Sequence, residues 1–190
     1  LKEEYDYVNK FYINYSYGGV KTNYYYDSNK NLIALVKGND TLLFYYDSDG
    51  SATSFSYNGT MYFYVKNLQG DVIRIIDLAG TEVASYVYDA WGNIKDTNGE
   101  PTIREINPIR YRGYVYDTET GLYYLQSRYY DPFAGRFLNA DAYYDTCNSV
   151  LSTNMFAYCE SDPINYIDPY GYASYKNSYR YNKSSKTYNI

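Results

Sequence analysis

The chain has 190 residues, enough for one domain of ordinary size, and tyrosine accounts for 32 of them. Its formal net charge of −5 argues against nucleic acid as the main partner, because binding phosphate groups requires a basic surface. The chain contains no histidine, which excludes histidine-based triads and Cys/His zinc sites, and no cofactor is predicted.

Residues 1 to 19 alternate tyrosine with polar residues, and turn signals recur at a regular spacing from residue 20 to residue 96. An Asp or Asn stands at positions 27, 47, 67 and 89, and three of the four are followed three positions later by a glycine. An Asx side chain caps its own turn and a glycine accepts positive φ, so each repeat predicts one hairpin. The predicted fold is an all-β antiparallel meander, with turns that contain Asp47, Asn67 and Asp89 and positive φ at Gly50, Gly70 and Gly92.

Tyrosine would have to supply most of the apolar surface in any core of this protein. Each ring has an apolar face and a hydroxyl group that needs a partner or water. We therefore expect these rings on exposed or half-exposed sheet faces and not in a dry interior.

Residues 96 to 107 contain glycine, proline and charged residues and are predicted to form a loop. The densest turn pattern follows, where Tyr116-Asp117 and Tyr130-Asp131 each precede a glycine by four residues from the Asp. Two more hairpin turns are predicted there. Four arginines of this stretch are expected to pair with turn aspartates or to stack on tyrosine rings: Arg110, Arg112, Arg128 and Arg136.

The stretch from residue 110 to 137, RYRGYVYDTETGLYYLQSRYYDPFAGRF, resembles the Rhs-associated core of Rhs and YD-repeat proteins. The resemblance implies a long sheet that coils into a hollow shell, with the core closing one end. It divides the chain into a YD-repeat sheet (1–96), a Rhs repeat-associated core (97–172) and a basic, tyrosine-rich tail (173–190) that we expect to be poorly ordered. Because the sequence begins within the repeat pattern, we interpret the chain as a piece of a longer protein.

The sequence DPYG, from residue 168 to 171, matches the element that ends the core in this family. For Asp168, Pro169 and Gly171, the resemblance implies an aspartyl-type self-cleavage, here between Tyr172 and Ala173. Such chemistry requires two carboxyl groups that share a proton, one as general base and one as general acid. The predicted partner of Asp168 is Asp141, with Asp162 in reserve, and Arg136 is predicted to stabilise a carboxylate or the developing oxyanion. The alternative is that DPYG is only a turn.

The end of the chain leaves several alternatives open. The tail carries four basic residues and no acidic one, so it could bind nucleic acid or an anionic wall polymer, or simply be solvated. Cys147 and Cys159 could form a disulfide or stay as buried thiols. Residues 148 to 158 could hold a short helical or irregular turn, and no stretch approaches the roughly 18 apolar residues of a membrane span.

Two functions are compatible with the sequence. The resemblance implies the shell and plug of a secreted or envelope-associated bacterial toxin, which partners its own upstream repeats, encloses a C-terminal payload and cleaves itself. The alternative is a cell-surface module whose tyrosine-rich sheet face binds carbohydrate. The first predicts tyrosine hydroxyls on an inner face, and the second predicts an exposed aromatic patch.

Overall fold

A computed structural model describes residues 4–5, 12–17, 20–141, 154–176, 181–182 and 187–188. The chain forms two compact units, Leu1–Tyr64 with Ile75–Glu82, and Val65–Arg74 with Val83–Ile190. The boundaries at residues 96 and 172 come from the sequence pattern alone and stay predictions. No helix in the described part of the chain is long and apolar enough to cross a membrane.

Strands dominate both units. The first ten are β1 (Glu4–Tyr5), β2 (Tyr12–Tyr17), β3 (Val20–Tyr26), β4 (Leu32–Lys37), β5 (Asp40–Tyr46), β6 (Ala52–Tyr57), β7 (Thr60–Lys66), β8 (Val72–Ile76), β9 (Glu82–Tyr88) and β10 (Ile94–Gly99). A short helix, α1 (Pro101–Ile106), precedes β11 (Val115–Asp117), β12 (Leu122–Tyr124), β13 (Tyr129–Asp131) and β14 (Arg136–Phe137). The last strands are β15 (Tyr166–Ile167), β16 (Tyr175–Lys176), β17 (Tyr181–Asn182) and β18 (Thr187–Tyr188).

The strands of the first unit pair antiparallel with their neighbours in sequence, from β1 with β2 through to β6 with β7. In the second unit β9 pairs with β10, and β11 to β14 form a four-stranded antiparallel sheet in chain order. The antiparallel all-β prediction is therefore confirmed.

The repeat turns share one geometry. In the turn after β5, Oδ1 of Asp47 accepts hydrogen bonds from the amides of Asp49 (3.0 Å) and Ser51 (2.8 Å), and Gly50 has φ of +77°. Asn67 and Asp89 cap their turns in the same way, with Gly70 and Gly92 at positive φ. The predicted turn positions are confirmed.

The turn after β3 has the same bonds without a glycine. Oδ1 of Asp27 accepts the amides of Asn29 (2.9 Å) and Asn31 (2.8 Å), and Lys30 takes φ of +65° at the glycine position. A side chain in the left-handed region is strained, so the capping carboxylate and the strand pairing must impose this conformation.

A small aromatic and aliphatic core lies on one face of the first unit. In β5, Leu42 and Phe44 are buried, whereas Leu43 and Tyr45 on the other face are partly exposed. Phe55 of β6 is fully buried and stacks on Tyr62 with ring centroids 5.3 Å apart. This is the period-2 burial that a sheet with one covered face requires.

The loop predicted over residues 96 to 107 is wrong, because residues 96 to 99 complete strand β10 and Pro101–Ile106 form helix α1. Pro101 starts the helix, at a position where a backbone N–H would have no hydrogen-bond acceptor within the helix, so proline costs nothing there. The carboxylate of Glu100 accepts hydrogen bonds from the amides of Thr102 and Ile103. Ile103 is the buried residue of this helix. The sequence carried the proline and acidic cap of a helix start, but the segment is too short to show a helical period.

The second unit has a buried core built mainly from tyrosine, which contradicts the expectation of half-exposed rings. We call it the tyrosine cluster: Tyr111, Tyr114, Tyr123, Leu125, Tyr130, Phe137, Tyr158 and Cys159. Three of its hydroxyls donate to consecutive carbonyls of the turn after β9, those of Ala90 (2.7 Å), Trp91 (2.6 Å) and Gly92 (2.9 Å). Tyrosine is tolerated inside because main-chain oxygens satisfy its hydroxyl groups.

Candidate active site at the DPYG loop

Asp168 is at the end of β15, where the chain turns back toward β16, and its side chain is almost completely buried. Its Oδ1 accepts the amide of Tyr172 at 3.1 Å. Hydrogen bonds from the amides of Gly171 and Ala173 to this carboxyl group also act to lower its pKa. Asp168 therefore lies beside the nitrogen of the Tyr172–Ala173 peptide, which is the predicted cleavage bond.

Gly171 lets this loop approach the turn between β12 and β13. Its φ is +71°, and a Cβ at this position would lie 2.6 Å from Oγ of Ser127 and 2.7 Å from the carbonyl oxygen of Leu125. The Gly171 carbonyl accepts hydrogen bonds from Oγ of Ser127 (2.6 Å) and from Nε of Arg128. Only glycine fits this position, so the fourth residue of the DPYG element has a structural requirement.

Arg128 is the residue that joins the two predicted carboxylates. One of its terminal nitrogens, Nη1, lies 3.0 Å from Oδ2 of Asp141, and the other, Nη2, lies 3.2 Å from Oδ2 of Asp168. Its Nη1 also donates to the carbonyl of Met155 at 3.1 Å, and the guanidinium stacks over Phe137, with Cζ 3.6 Å from the ring centroid. Planar geometry and five donors suit arginine to this bridging position.

Asp168 shares its guanidinium partner, Arg128, with Asp141, and its own burial favours the protonated form of its carboxyl group. Burial raises the pKa of Asp168, and Arg128 together with the loop amides acts in the opposite direction. A single guanidinium cannot neutralise two ionised carboxylates, so the more buried one gains from keeping its proton. When one carboxyl group of a pair is protonated and the other is ionised, the first can act as a general acid and the second as a general base.

The other two predicted site residues have different surroundings. Arg136 lies on β14 and is exposed, with its guanidinium 4.9 Å from the ring centroid of Phe156. Asp162 caps its own turn, where Oδ2 accepts Nδ2 of Asn165 at 2.8 Å. The guanidinium beside Asp141 and Asp168 thus belongs to Arg128, which the sequence pattern had indicated only as a stabilising residue.

The other two of the four arginines, Arg110 and Arg112, contact tyrosine rings as predicted. Arg110 stacks on the rings of Tyr86 (5.0 Å) and Tyr116 (4.5 Å), and Arg112 stacks on Tyr111 (5.3 Å). The prediction that at least two of the four arginines would stack on tyrosines or pair with turn aspartates is confirmed. Main-chain carbonyls are additional partners that the sequence did not indicate.

Cys159 borders the site without the properties of a nucleophile. It is buried, and burial raises the pKa of its thiol to about 12, so it stays protonated near neutral pH. The disulfide alternative involves Cys147, which lies outside the described residues and leaves that alternative a prediction. Of the helical or irregular turn predicted for residues 148 to 158, the structure describes residues 154 to 158, where the amide of Ala157 donates to the carbonyl of Asn154 at 3.0 Å in a turn.

Known proteins share both the sequence pattern and the fold. The family model described as Teneurin YD-shell matches residues 2–177. The "tRNA3(Ser)-specific nuclease WapA" of Bacillus spizizenii is 40% identical over 157 residues, which are 81% of this chain and 7% of that protein. The "Double-stranded DNA deaminase toxin A" of Burkholderia cenocepacia is 36% identical over 101 residues, 53% of this chain and 7% of that protein.

A solved structure shows the same fold. The chain is similar to one in the "Crystal Structure of TcdB2-TccC3-Cdc42", with a TM-score of 0.64, 18% sequence identity and coverage of 85% of this chain and 8% of that one. The chain thus spans less than a tenth of the length of each of these relatives.

Proposed function

This chain belongs to the teneurin YD-shell family of YD-repeat proteins, and on that premise we propose that it is a self-cleaving shell segment of a longer toxin. The proposed cleavage separates Tyr172 from Ala173. The observation that carries this proposal is the contact of one buried guanidinium, that of Arg128, with both Asp141 and Asp168, next to the loop that contains this peptide bond.

The proposed reaction is hydrolysis of the Tyr172–Ala173 peptide by a water molecule. Asp141 accepts a proton from the water, whose oxygen forms a bond to the carbonyl carbon of Tyr172. Asp168 donates its proton to the nitrogen of Ala173 as the C–N bond breaks. The products are a carboxylate on Tyr172 and a new amino terminus at Ala173.

Each side chain has a position that suits its proposed role. The carboxyl group of Asp168 lies among the amides of the scissile loop, which suits the general acid. Asp141 is held by Nη1 of Arg128 at 3.0 Å, and we assign it the role of the general base. In this proposal Arg128 takes the role that the sequence had assigned to Arg136, and Asp162 remains a turn cap.

The variants Asp168→Asn, Asp141→Asn and Arg128→Lys test the proposal by intact-mass spectrometry. The two Asn variants should each lower the cleavage rate by at least about a hundredfold, because general acid and general base catalysis each contribute on the order of 10²-fold or more. Arg128→Lys should also lower the rate, because lysine lacks the planar fork of donors with which arginine contacts both carboxylates. The matched control Asp162→Asn, which changes a carboxylate in the neighbouring turn, should cleave like the wild type. Melting curves show which variants remain folded.

Cleavage that survives Asp168→Asn would assign the chemistry to other residues. A wild-type chain that stays intact would leave DPYG as an ordinary turn.

The longer protein is proposed to carry a C-terminal toxin payload and to act outside the producing cell. The names of two relatives, a tRNA nuclease and a DNA deaminase toxin, support the toxin payload, and nearly all of this chain matches the shell family model. The carbohydrate-binding alternative has less support, because several tyrosine hydroxyls of the second unit are bound to main-chain carbonyls.

A further inference from the structure

The segment just after the proposed cleavage bond forms a strand. Tyr175 and Lys176 of β16 pair antiparallel with Ile167 and Tyr166 of β15, respectively. Asp168 directly follows β15, so one short hairpin contains the acidic side chain, the scissile bond and the residues that follow that bond.

We propose that the edge of β15 is the substrate-binding strand for the peptide downstream of the cleavage site, and that it recognises main chain. This inference rests on the proposed self-cleavage and adds the binding site for the released side of the substrate. The mode is strand addition, in which main-chain hydrogen bonds provide the affinity.

The side chains of β16 favour recognition through the backbone. Tyr175 is 58% exposed, and Lys176 is also exposed, so neither is enclosed in a pocket. Strand pairing depends little on side-chain identity, so this site accepts different downstream sequences. Proline is the exception, because it lacks the N–H that the pairing uses.

The receiving strand is fixed to the rest of the second unit. Tyr166 packs against the tyrosine cluster, and its amide donates to the carbonyl of Asp162 at 3.1 Å. On the upstream side of the cleavage bond, Ser127 and Arg128 bind the carbonyl of Gly171. The scissile loop is therefore anchored on both sides, which fixes the reacting peptide relative to the carboxyl groups.

Proline substitutions at the two positions of β16 provide a matched pair. In an antiparallel pair, neighbouring residues alternate between N–H groups that face the partner strand and N–H groups that face away. One of Tyr175→Pro and Lys176→Pro should therefore slow cleavage by at least about tenfold, because small misplacement of a reacting group is costly. The other proline variant should be affected much less, and Tyr175→Ala and Lys176→Ala should stay within about twofold of the wild type.

Hydrogen exchange gives a readout that does not depend on cleavage. In the Asp141→Asn background, where the chain is expected to stay intact, the slowing proline should also raise amide exchange in β15. Melting curves of all variants check that the second unit stays folded.

Equal cleavage rates in all four variants would overturn the β15 site while leaving the self-cleavage intact. Alanine variants as slow as the proline variants would also overturn it, since recognition would then depend on side chains. A wild-type chain that does not cleave would overturn both proposals together.

Discussion

At the scale of single residues, the candidate site depends on Arg128. Its three guanidinium nitrogens contact the carboxylates of Asp141 and Asp168 and the carbonyl of Gly171. The resemblance to the DPxG element of the family selected Asp168 and Gly171, whereas the Asp-Pro step and the glycine by themselves indicated only a turn. Four arginines lay nearby in sequence, and only the folded chain distinguishes the one that meets carboxylates from distant segments.

The raised pKa of Asp168 predicts how cleavage depends on pH. As the general acid, Asp168 must keep its proton, so the cleavage rate should fall as pH rises through its pKa in the folded chain. Rates measured by intact mass from about pH 5 to about pH 9 check this. A rate that rises steadily over this range would contradict the assignment of Asp168 as the acid.

The same pKa shift predicts a change in stability with a definite sign. The unfolded aspartate ionises near its ordinary value of 3.8, and burial raises the value in the folded chain. Ionisation of Asp168 therefore lowers the stability of the folded chain. The contribution of Asp168 to the free energy of unfolding is most favourable below pH 3.8, and it is lost as the pH rises through the pKa of Asp168 in the folded chain. Urea unfolding at several pH values of the non-cleaving Asp141→Asn chain, compared with Asp141→Asn/Asp168→Asn, measures the part of this contribution that comes from burial of Asp168.

At the scale of elements, the repeat turns follow one rule, which is an Asx cap followed three residues later by positive φ. The sequence identified the turns that contain glycine, including those of Asp47, Asn67 and Asp89. It gave no sign that Lys30 takes the same conformation, because lysine has no preference for positive φ. It also did not show helix α1, whose six residues are too few for a hydrophobic period.

Lys30 gives a prediction that belongs to the turn. Lys30→Gly should raise the free energy of unfolding by about 1 kcal/mol, because glycine adopts φ of +65° without the strain that a side chain adds. The reverse change, Gly50→Ala, should lower it by about 1 kcal/mol. Nothing lies within 4 Å of the added methyl group, so that cost is purely conformational.

Urea denaturation of the two variants and the wild type makes this comparison. If Lys30→Gly is destabilising, the contacts of the lysine side chain outweigh its backbone strain and the rule does not extend to this turn.

At the scale of the whole molecule, the antiparallel all-β fold was predictable and the nature of the core was not. Alternation and regular turns indicate strands, but they do not show whether a tyrosine hydroxyl finds a partner inside. That depends on carbonyls from distant segments, such as those of Ala90, Trp91 and Gly92.

Buried Arg112 links several distant segments of the second unit, which makes it a test of this polar core. Its Nη1 donates to the carbonyl of Gln69 and its Nη2 to that of Pro163, and its Nε lies 3.6 Å from Oδ1 of Asp71. Arg112→Met should lower the free energy of unfolding by about 3 kcal/mol, because it leaves the carboxylate of Asp71 buried without its cation.

The double variant Arg112→Met/Asp71→Asn should recover part of this loss, since the unpaired charge is then removed as well. Urea unfolding measures both effects. A double variant no more stable than the single one would show that the lost carbonyl contacts, and not the ion pair, dominate.

The central claim is that this shell segment cuts its own chain after Tyr172. The most direct measurement is the intact mass of the purified wild-type chain over several days at neutral pH, with amino-terminal sequencing of any fragment. The account predicts loss of one C-terminal peptide that begins at Ala173 and is absent from the Asp168→Asn chain. A wild-type chain that keeps its full mass, or one that is cut at another bond, would contradict it.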